Sequence, residues 1–143
     1  MSMLVLHSAH EAAGAVFTRA GDSEIPRHYG DPESEYGAVR EGVGIVDRSA
    51  RGKLFVTGSD RVRFLHGMVS NRVEGLGEGE GNYAALTDAQ GHTLTDLWVH
   101  NWGDAFLLET EPGLQEKLFG SLDRYLIADD VKMEDVTASW VVL

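Results

Sequence analysis

Asn82-Tyr83-Ala84-Ala85-Leu86-Thr87-Asp88-Ala89-Gln90-Gly91-His92-Thr93-Leu94-Thr95-Asp96-Leu97-Trp98-Val99-His100 is the stretch that decides how this 143-residue chain folds. Two runs rich in aliphatic, aromatic and β-branched residues flank Asp88-Ala89-Gln90-Gly91, a four-residue turn signal, so residues 82–87 and 92–100 are expected as the arms of an antiparallel hairpin. Pairing Thr87 with His92 places Ala85 opposite Leu94 and Tyr83 opposite Asp96. Strand alternation then puts Tyr83, Ala85, Leu94, Asp96, Trp98 and His100 on one face, and Ala84, Leu86, Thr93, Thr95, Leu97 and Val99 on the other. The first face sets an acid among aromatics. A flat heteroaromatic ligand can stack there while the carboxylate meets its ring nitrogens; the same pattern also describes the solvated side of a sheet, where one Asp and one His are unremarkable.

Working upstream, Lys53-Leu54-Phe55-Val56-Thr57 is a strand, Gly58 a turn, and Ser59 or Asp60 the cap of a helix whose apolar stripe is Val62, Leu65, Met68 and Val69. The run Gly75-Leu76-Gly77-Glu78-Gly79-Glu80-Gly81 is too glycine-rich for a regular element and is expected as a flexible connection. Further upstream, Asp31 before Pro32 and Glu33 signals a helix start, with a capping side chain, a proline in the first turn and an acid near the positive dipole end. That helix is expected to run to Arg40 or Glu41. Val43-Gly44-Ile45-Val46-Asp47 is expected as a short buried strand, and the first thirty residues as an irregular lead-in.

Downstream, Trp102-Gly103-Asp104 turns the chain into a strand at Ala105-Phe106-Leu107-Leu108-Glu109. A helix over Leu114–Ile127 follows, with Leu114, Leu118, Leu122, Tyr125 and Leu126 inward, then strands at Val131–Val136 and Ser139–Leu143. From residue 53 the order is strand, helix, three strands, helix, strand. Two amphipathic helices on one face of an antiparallel sheet is the simplest packing for that order, so the fold class is α+β and ferredoxin-like. The chain divides into a lead-in with its helix, residues 1–51, and a ferredoxin-like subdomain, residues 52–143.

Composition narrows the function classes. Against 12 basic residues stand 23 acidic ones, a formal net charge of −11, which repels phosphate backbones and anionic lipid heads and argues against nucleic-acid and membrane partners. With no cysteine, thiolate metal sites, iron–sulfur ligation and cysteine nucleophiles are excluded within the chain. Residues 1–7 carry no basic leader and no segment is long enough to span a bilayer, so the expected location is cytoplasmic. The glycine loop fails the dinucleotide and phosphate-loop spacings, and its Glu78 and Glu80 would repel phosphate. His7 and His10 can share a helix face but lack a third ligand, so they read as surface histidines and no metal site is expected. No Gly-x-Ser-x-Gly elbow occurs. The acids Asp129, Asp130, Glu134 and Asp135 could draw a cation, although a loop and a solvated strand edge account for them equally.

A longer pattern runs through these pieces: His28-Tyr29-Gly30; Glu35 with Ala38-Val39-Arg40; Val43-Gly44-Ile45-Val46-Asp47-Arg48-Ser49; Gly52-Lys53 with Val56-Thr57-Gly58; Phe64-Leu65; Ser70-Asn71; Tyr83; and Asp88-Ala89-Gln90-Gly91 with Thr95-Asp96-Leu97. In order and spacing it resembles the N-terminal part of the glycine cleavage T-protein, the aminomethyltransferase, and of its YgfZ-type folate-binding relatives. The resemblance implies a tetrahydrofolate pocket. Asp96 falls at the position of the catalytic acid near the pterin nitrogens, with Tyr83 beside it and Trp98 and His100 at pocket-lining positions. It also implies aminomethyl transfer to tetrahydrofolate from the lipoyl arm of a carrier protein.

Departures from the family pattern point to alternatives. Thr95-Asp96 stands where the family has paired acids, Asp47-Arg48-Ser49-Ala50-Arg51-Gly52 where it has Asp-Val-Ser-His-Met-Gly, and Gly91-His92 where it has Gly-Gly. Leu122 to Ile127 with Asp129-Asp130-Val131 resembles the YgfZ-type branch, which binds folate and supports iron–sulfur enzymes. Less than half of the usual family length is present, so the chain is expected either to be a truncated module or to need a second chain or a homo-oligomer to complete the pocket.

Overall fold

The computed structural model describes residues 4–20 and 23–143. The chain forms two compact units, Met1–Ala50 with Ala138–Leu143, and Arg51–Thr137.

The first unit is built from α1 (His7–Ala12), a two-stranded antiparallel sheet of β1 (Val16–Ala20) and β2 (Ser23–His28), and α2 (Pro32–Glu41). The irregular lead-in anticipated for the first thirty residues is thus a helix and a hairpin. Weak alternation concealed the hairpin because neither strand buries a face. α2 begins where the capping chemistry places it: the Asp31 carboxylate accepts from the Glu33 amide at 3.2 Å and from the Ser34 hydroxyl at 2.5 Å. These two bonds hold the Asp31 carboxyl below its usual pKa, the Ser34 hydroxyl contributing most. The buried strand expected at Val43–Asp47 is not formed. The segment is irregular, and Val43, Ile45 and Val46 stand exposed, since no neighbouring strand takes up its backbone groups.

Ties between distant side chains hold this unit. His10 Nε2 lies 2.6 Å from Asp47 Oδ2, and the Tyr29 hydroxyl 2.7 Å from His10 Nδ1, while His7 stacks on Phe17 at 4.4 Å between ring centroids. Both histidines, expected at the surface, are therefore structural ties. Ser139–Leu143, expected as a strand, is irregular, and the Arg48 amide donates to the Val142 carbonyl at 2.8 Å.

The second unit runs β3 (Gly52–Thr57), α3 (Arg61–Met68), β4 (Gly81–Thr87), β5 (Thr93–Asn101), β6 (Phe106–Thr110), α4 (Gln115–Asp123), β7 (Lys132–Asp135). Its five-stranded sheet has the order β4-β5-β6-β3-β7 with every pairing antiparallel. Setting aside β4, which adds to the edge as a hairpin arm, the order is that of a ferredoxin-like fold. α3 and α4 cover one face. Leu54 and Val56, Leu97 and Val99, and Phe106 and Leu108 point into that face and bury against Phe64, Leu65, Leu118 and Leu122. The apolar area so removed from water is the main source of this unit's stability.

Two connections in this unit depart from expectation. α4 stops at Asp123, and Tyr125, expected inward, is half exposed. The glycine loop is pinned at both ends of its turn, with the Gly79 amide donating to Asn101 O and the Asn101 amide to Glu80 O, 2.8 Å each. The acids near 130 have internal partners: Asp130 accepts from the Ser59 amide and hydroxyl, and Asp129 pairs with Arg63 at 2.6 Å. No helix among the described residues is long and apolar enough to cross a membrane.

Candidate functional site

The sheet face opposite the helices carries the site. In the β4–β5 hairpin the partners are Tyr83↔Trp98, Ala85↔Asp96, Leu86↔Thr95 and Thr87↔Thr93, with an irregularity that leaves Leu94 unpaired in the register. The pairing of Tyr83 with Asp96 expected from the turn is therefore corrected by two residues: Trp98 stands across from Tyr83, and Asp96 across from Ala85. One residue of the shift lies at the turn, where Thr87 pairs with Thr93 in place of His92, and the other is Leu94, the extra residue of a bulge that a turn count cannot see. Lys117, on α4, holds the bulge by donating its ammonium to the Leu94 carbonyl at 2.7 Å.

The face assignment follows the alternation from Thr95 onward, but Leu94, expected beside Asp96 on the open face, packs instead against the core on the helix side. Ala84, Leu86, Thr95, Leu97 and Val99 are buried toward the helices, whereas Tyr83 and Trp98 are 50% and 36% exposed on the other side. Tyr83 is the diagonal neighbour of Asp96, and its hydroxyl donates to Asp96 Oδ2. The same bond raises the phenol pKa above 10.0, with loss of solvent and the neighbouring negative charge adding to it. Tyr83 thus remains a donor. The rings of Tyr83 and Trp98 lie 5.4 Å apart and tilted by 55°; Trp98 and His100 stack at 6.1 Å, 14° from parallel. Asp96, Tyr83, Trp98 and His100 are therefore one continuous surface: an acid, two aromatic plates and an imidazole.

Beneath and beside this surface lie residues to which the sequence reading assigned no role. The Thr110 hydroxyl donates to the Asp96 carbonyl at 2.8 Å and lies 2.7 Å from the Thr95 hydroxyl, so a buried threonine pair grips the backbone of the acid from the core side. On the site face, Glu109 is the cross-strand partner of both Trp98 and Lys53. Glu109 and Lys53 are fully or nearly fully buried. Arg51 Nε lies 2.5 Å from Glu109 Oε1, an ionic contact rather than an aligned hydrogen bond, and its Nη1 lies 2.5 Å from Glu111 Oε1. His100 Nε2 lies 3.7 Å from Glu109 Oε2, and Lys53 Nζ donates to the Arg51 carbonyl at 2.9 Å. The available signal was two charged residues set among the apolar runs 54–56 and 106–108; buried charges occur only where they are paired.

Residues 6–143 match the family described as the GCVT N-terminal domain. The chain belongs to the glycine cleavage T-protein family. Among its relatives in that family, a probable aminomethyltransferase of Halobacterium salinarum is 33% identical over 141 residues, covering 94% of this chain and 39% of the relative. The aminomethyltransferase of Rubrobacter xylanophilus is 31% identical over 138 residues, covering 96% and 37%. The crystal structure of the glycine cleavage system aminomethyltransferase T from Bartonella henselae shares the fold, with a TM-score of 0.77 at 21% identity over 95% of this chain and 38% of that one. The chain thus spans about two-fifths of the length of these T-protein relatives, and corresponds to their N-terminal part.

Proposed function

We propose that this chain provides the folate-facing wall of a T-protein-family folate-binding protein. The observation that carries the reading is the exposed Tyr83–Trp98 ring pair with the Asp96 carboxylate beside it. Such a surface fits a pterin, a flat ring with several nitrogen donors: stacking on the aromatics removes apolar area from water, and the carboxylate fixes orientation. Tetrahydrofolate supplies a nucleophilic nitrogen for one-carbon transfer. Asp96 would accept a ring N–H and position that nitrogen, in reach of an aminomethyl group on a lipoyl-carrier protein. Tyr83 holds Asp96 in place, and the Thr95–Thr110 pair fixes the carbonyl behind it. His100 extends the stacking surface. The compartment in keeping with such chemistry is the cytoplasm.

One observation favours a second reading, in which folate is bound without transfer, as in the YgfZ-type branch. Arg51 occupies a position where the family's His-Met pair stands, and it is locked to Glu109 and Glu111 and not presented to a substrate. In either reading, the share of the family fold that the chain does not span would supply the opposite wall, from a second chain or a further domain.

Calorimetric titration with tetrahydrofolate, in parallel with quenching of tryptophan fluorescence, tests the shared claim. Saturable binding is expected, weakened about tenfold or more in Asp96→Asn, since a hydrogen bond to a charged group is worth about 1.5–3 kcal/mol. Unsaturable heats in the parent, or an unchanged affinity in the variant, would sink it. Release of ammonia from a lipoyl-bound aminomethyl donor separates the transfer reading from the binding one.

A further inference from the structure

Where the helix side of the β4–β5 hairpin meets the ends of α3 and α4, the second unit leaves a hollow of about 260 Å³. The early stop of α4 creates it. After Asp123 the chain tightens into turns, the Tyr125 amide donating to the Leu122 carbonyl and the Leu126 amide to the Asp123 carbonyl at 3.0 Å each, and Arg124 and Tyr125 stand exposed at the rim. Met68, Leu86 and Leu94 make the floor, as part of the apolar core or packed against it. The hollow therefore opens on the opposite side of the hairpin from Tyr83 and Trp98, away from the proposed folate surface.

Several polar groups around it have no work within the chain. The Arg124 guanidinium makes no ion pair among the described residues, although acids outnumber bases 23 to 12 and both Arg51 and Arg63 are paired. The hydroxyls of Ser121 and Tyr125 likewise make no hydrogen bond among the described residues. Asp88, also in the lining, is a carboxylate of fixed orientation. Its Oδ2 lies 2.9 Å from His92 Nδ1, and its Oδ1 accepts from the amides of His92 and Gln90 at 2.8 and 2.9 Å. These bonds, the His92 ring first, hold the carboxyl below its usual pKa, so it is ionised at neutral pH. One cation and one anion thus flank an apolar floor. A phosphate would be repelled by Asp88 and a metal ion by Arg124, whereas a zwitterion with an apolar body meets a partner at each end. The volume lies below the roughly 300–1,000 Å³ of sites for drug-sized ligands, which suits a single small molecule.

We propose that this hollow binds a free α-amino acid with an aliphatic side chain, its carboxylate on Arg124, its ammonium on Asp88 and its side chain over Met68, Leu86 and Leu94. The floor supplies affinity by removing apolar area from water, and the two charges select the ligand. The site is independent of the folate reading.

Titration of the isotope-labelled chain with L-leucine, followed by amide chemical shifts and with no folate in any arm, tests it. Saturable shifts are expected at Leu94, Ser121 and Arg124, with β3 and β7 unmoved. Isocaproate lacks the ammonium and isoamylamine the carboxylate, and each should bind at least about tenfold more weakly, as loss of a hydrogen bond to a charged group implies. Glycine, without the apolar body, should bind at least about tenfold more weakly as well. Arg124→Gln should weaken leucine binding by a similar factor, and Ser121→Leu, which fills the hollow, should abolish it. Both variants should keep the parent's urea midpoint, since neither side chain is buried. Shifts that do not saturate at the solubility limit of leucine, saturating shifts elsewhere on the chain, equal binding of isocaproate, isoamylamine or glycine, or an unchanged affinity in either folded variant would each overturn the proposal.

Discussion

Replacing Glu109 with glutamine tests the reading of the site's floor. A cation and an imidazole lie against this one buried acid, Arg51 at 2.5 Å and His100 at 3.7 Å, and the buried Lys53 is its cross-strand neighbour on the β3–β6 ladder. Glutamine keeps the volume and removes the charge. Arg51 retains the half-exposed Glu111, worth about 1 kcal/mol at most, while Lys53 and the guanidinium lose their buried counter-charge. Removing one partner of a buried ion pair costs about 3–5 kcal/mol. We expect the low end, about 3 kcal/mol, and with a urea dependence of about 1–3 kcal/mol/M the midpoint should fall by at least about 1 M. Urea unfolding followed by tryptophan fluorescence reads this directly. The double variant Lys53→Met/Glu109→Leu removes the pair together and should lose less stability than the sum of Lys53→Met and Glu109→Leu, since apolar replacements of a buried pair are often neutral. A single-variant loss below about 1 kcal/mol, or strict additivity in the cycle, would refute the claim that these charges neutralise one another.

Other consequences are open to measurement. Tyr83→Ala should weaken tetrahydrofolate binding by about tenfold or more, in line with about 1–3 kcal/mol per aromatic–base stack, whereas Tyr83→Phe, which keeps the ring, should change it much less; equal losses by titration would shift the weight from stacking to the hydroxyl. Gly58→Ala places a Cβ 2.1 Å from the Asp130 carbonyl at a backbone φ of +106°, so a loss above about 1 kcal/mol in thermal or urea unfolding is expected, and an unchanged stability would contradict the turn geometry. Acid should loosen the first unit through Asp47. Burial pushes its carboxyl up, but bonds from Ser49 and His10 outweigh that and leave the folded pKa below 3.8. A lowered folded pKa stabilises the folded state above the unfolded value near 3.9, and this contribution disappears as pH falls through the folded one. Amide exchange around residues 47–49 between about pH 5 and 2.5 should show the loss, and Asp47→Asn should flatten that dependence.

The second unit was legible because its elements agree with their own local signals. The 53–57 strand, the 62–69 stripe and the apolar 105–109 run each bury the side chains that their period selects. The same alternation separated Trp98 and Asp96 from Leu97 and Val99. What escaped was set by distant parts of the chain. The bulge at Leu94 depends on Lys117, more than twenty residues away in sequence. The partnering of Lys53 with Glu109 depends on β3 and β6 lying side by side. In the first unit, the run Val43–Val46 has a strand's composition but no neighbouring strand, so pattern and outcome parted there. His10 and Asp47 have no periodic signal to connect them, and only the fold brings them within 2.6 Å.

The position of the bulge has a consequence for how the sequence can drift. The site pairs, Tyr83 with Trp98 and Ala85 with Asp96, lie on the far side of Leu94 from the turn at residues 88–91. Lys117 and the threonine pair anchor the bulge and the acid from the core side. Length changes at the hairpin tip, the commonest kind of insertion in a sheet protein, therefore stop at the bulge before they reach the aromatic surface. Changes in the number or kind of residues at 89–90 should therefore leave the alignment of ring, acid and imidazole in place.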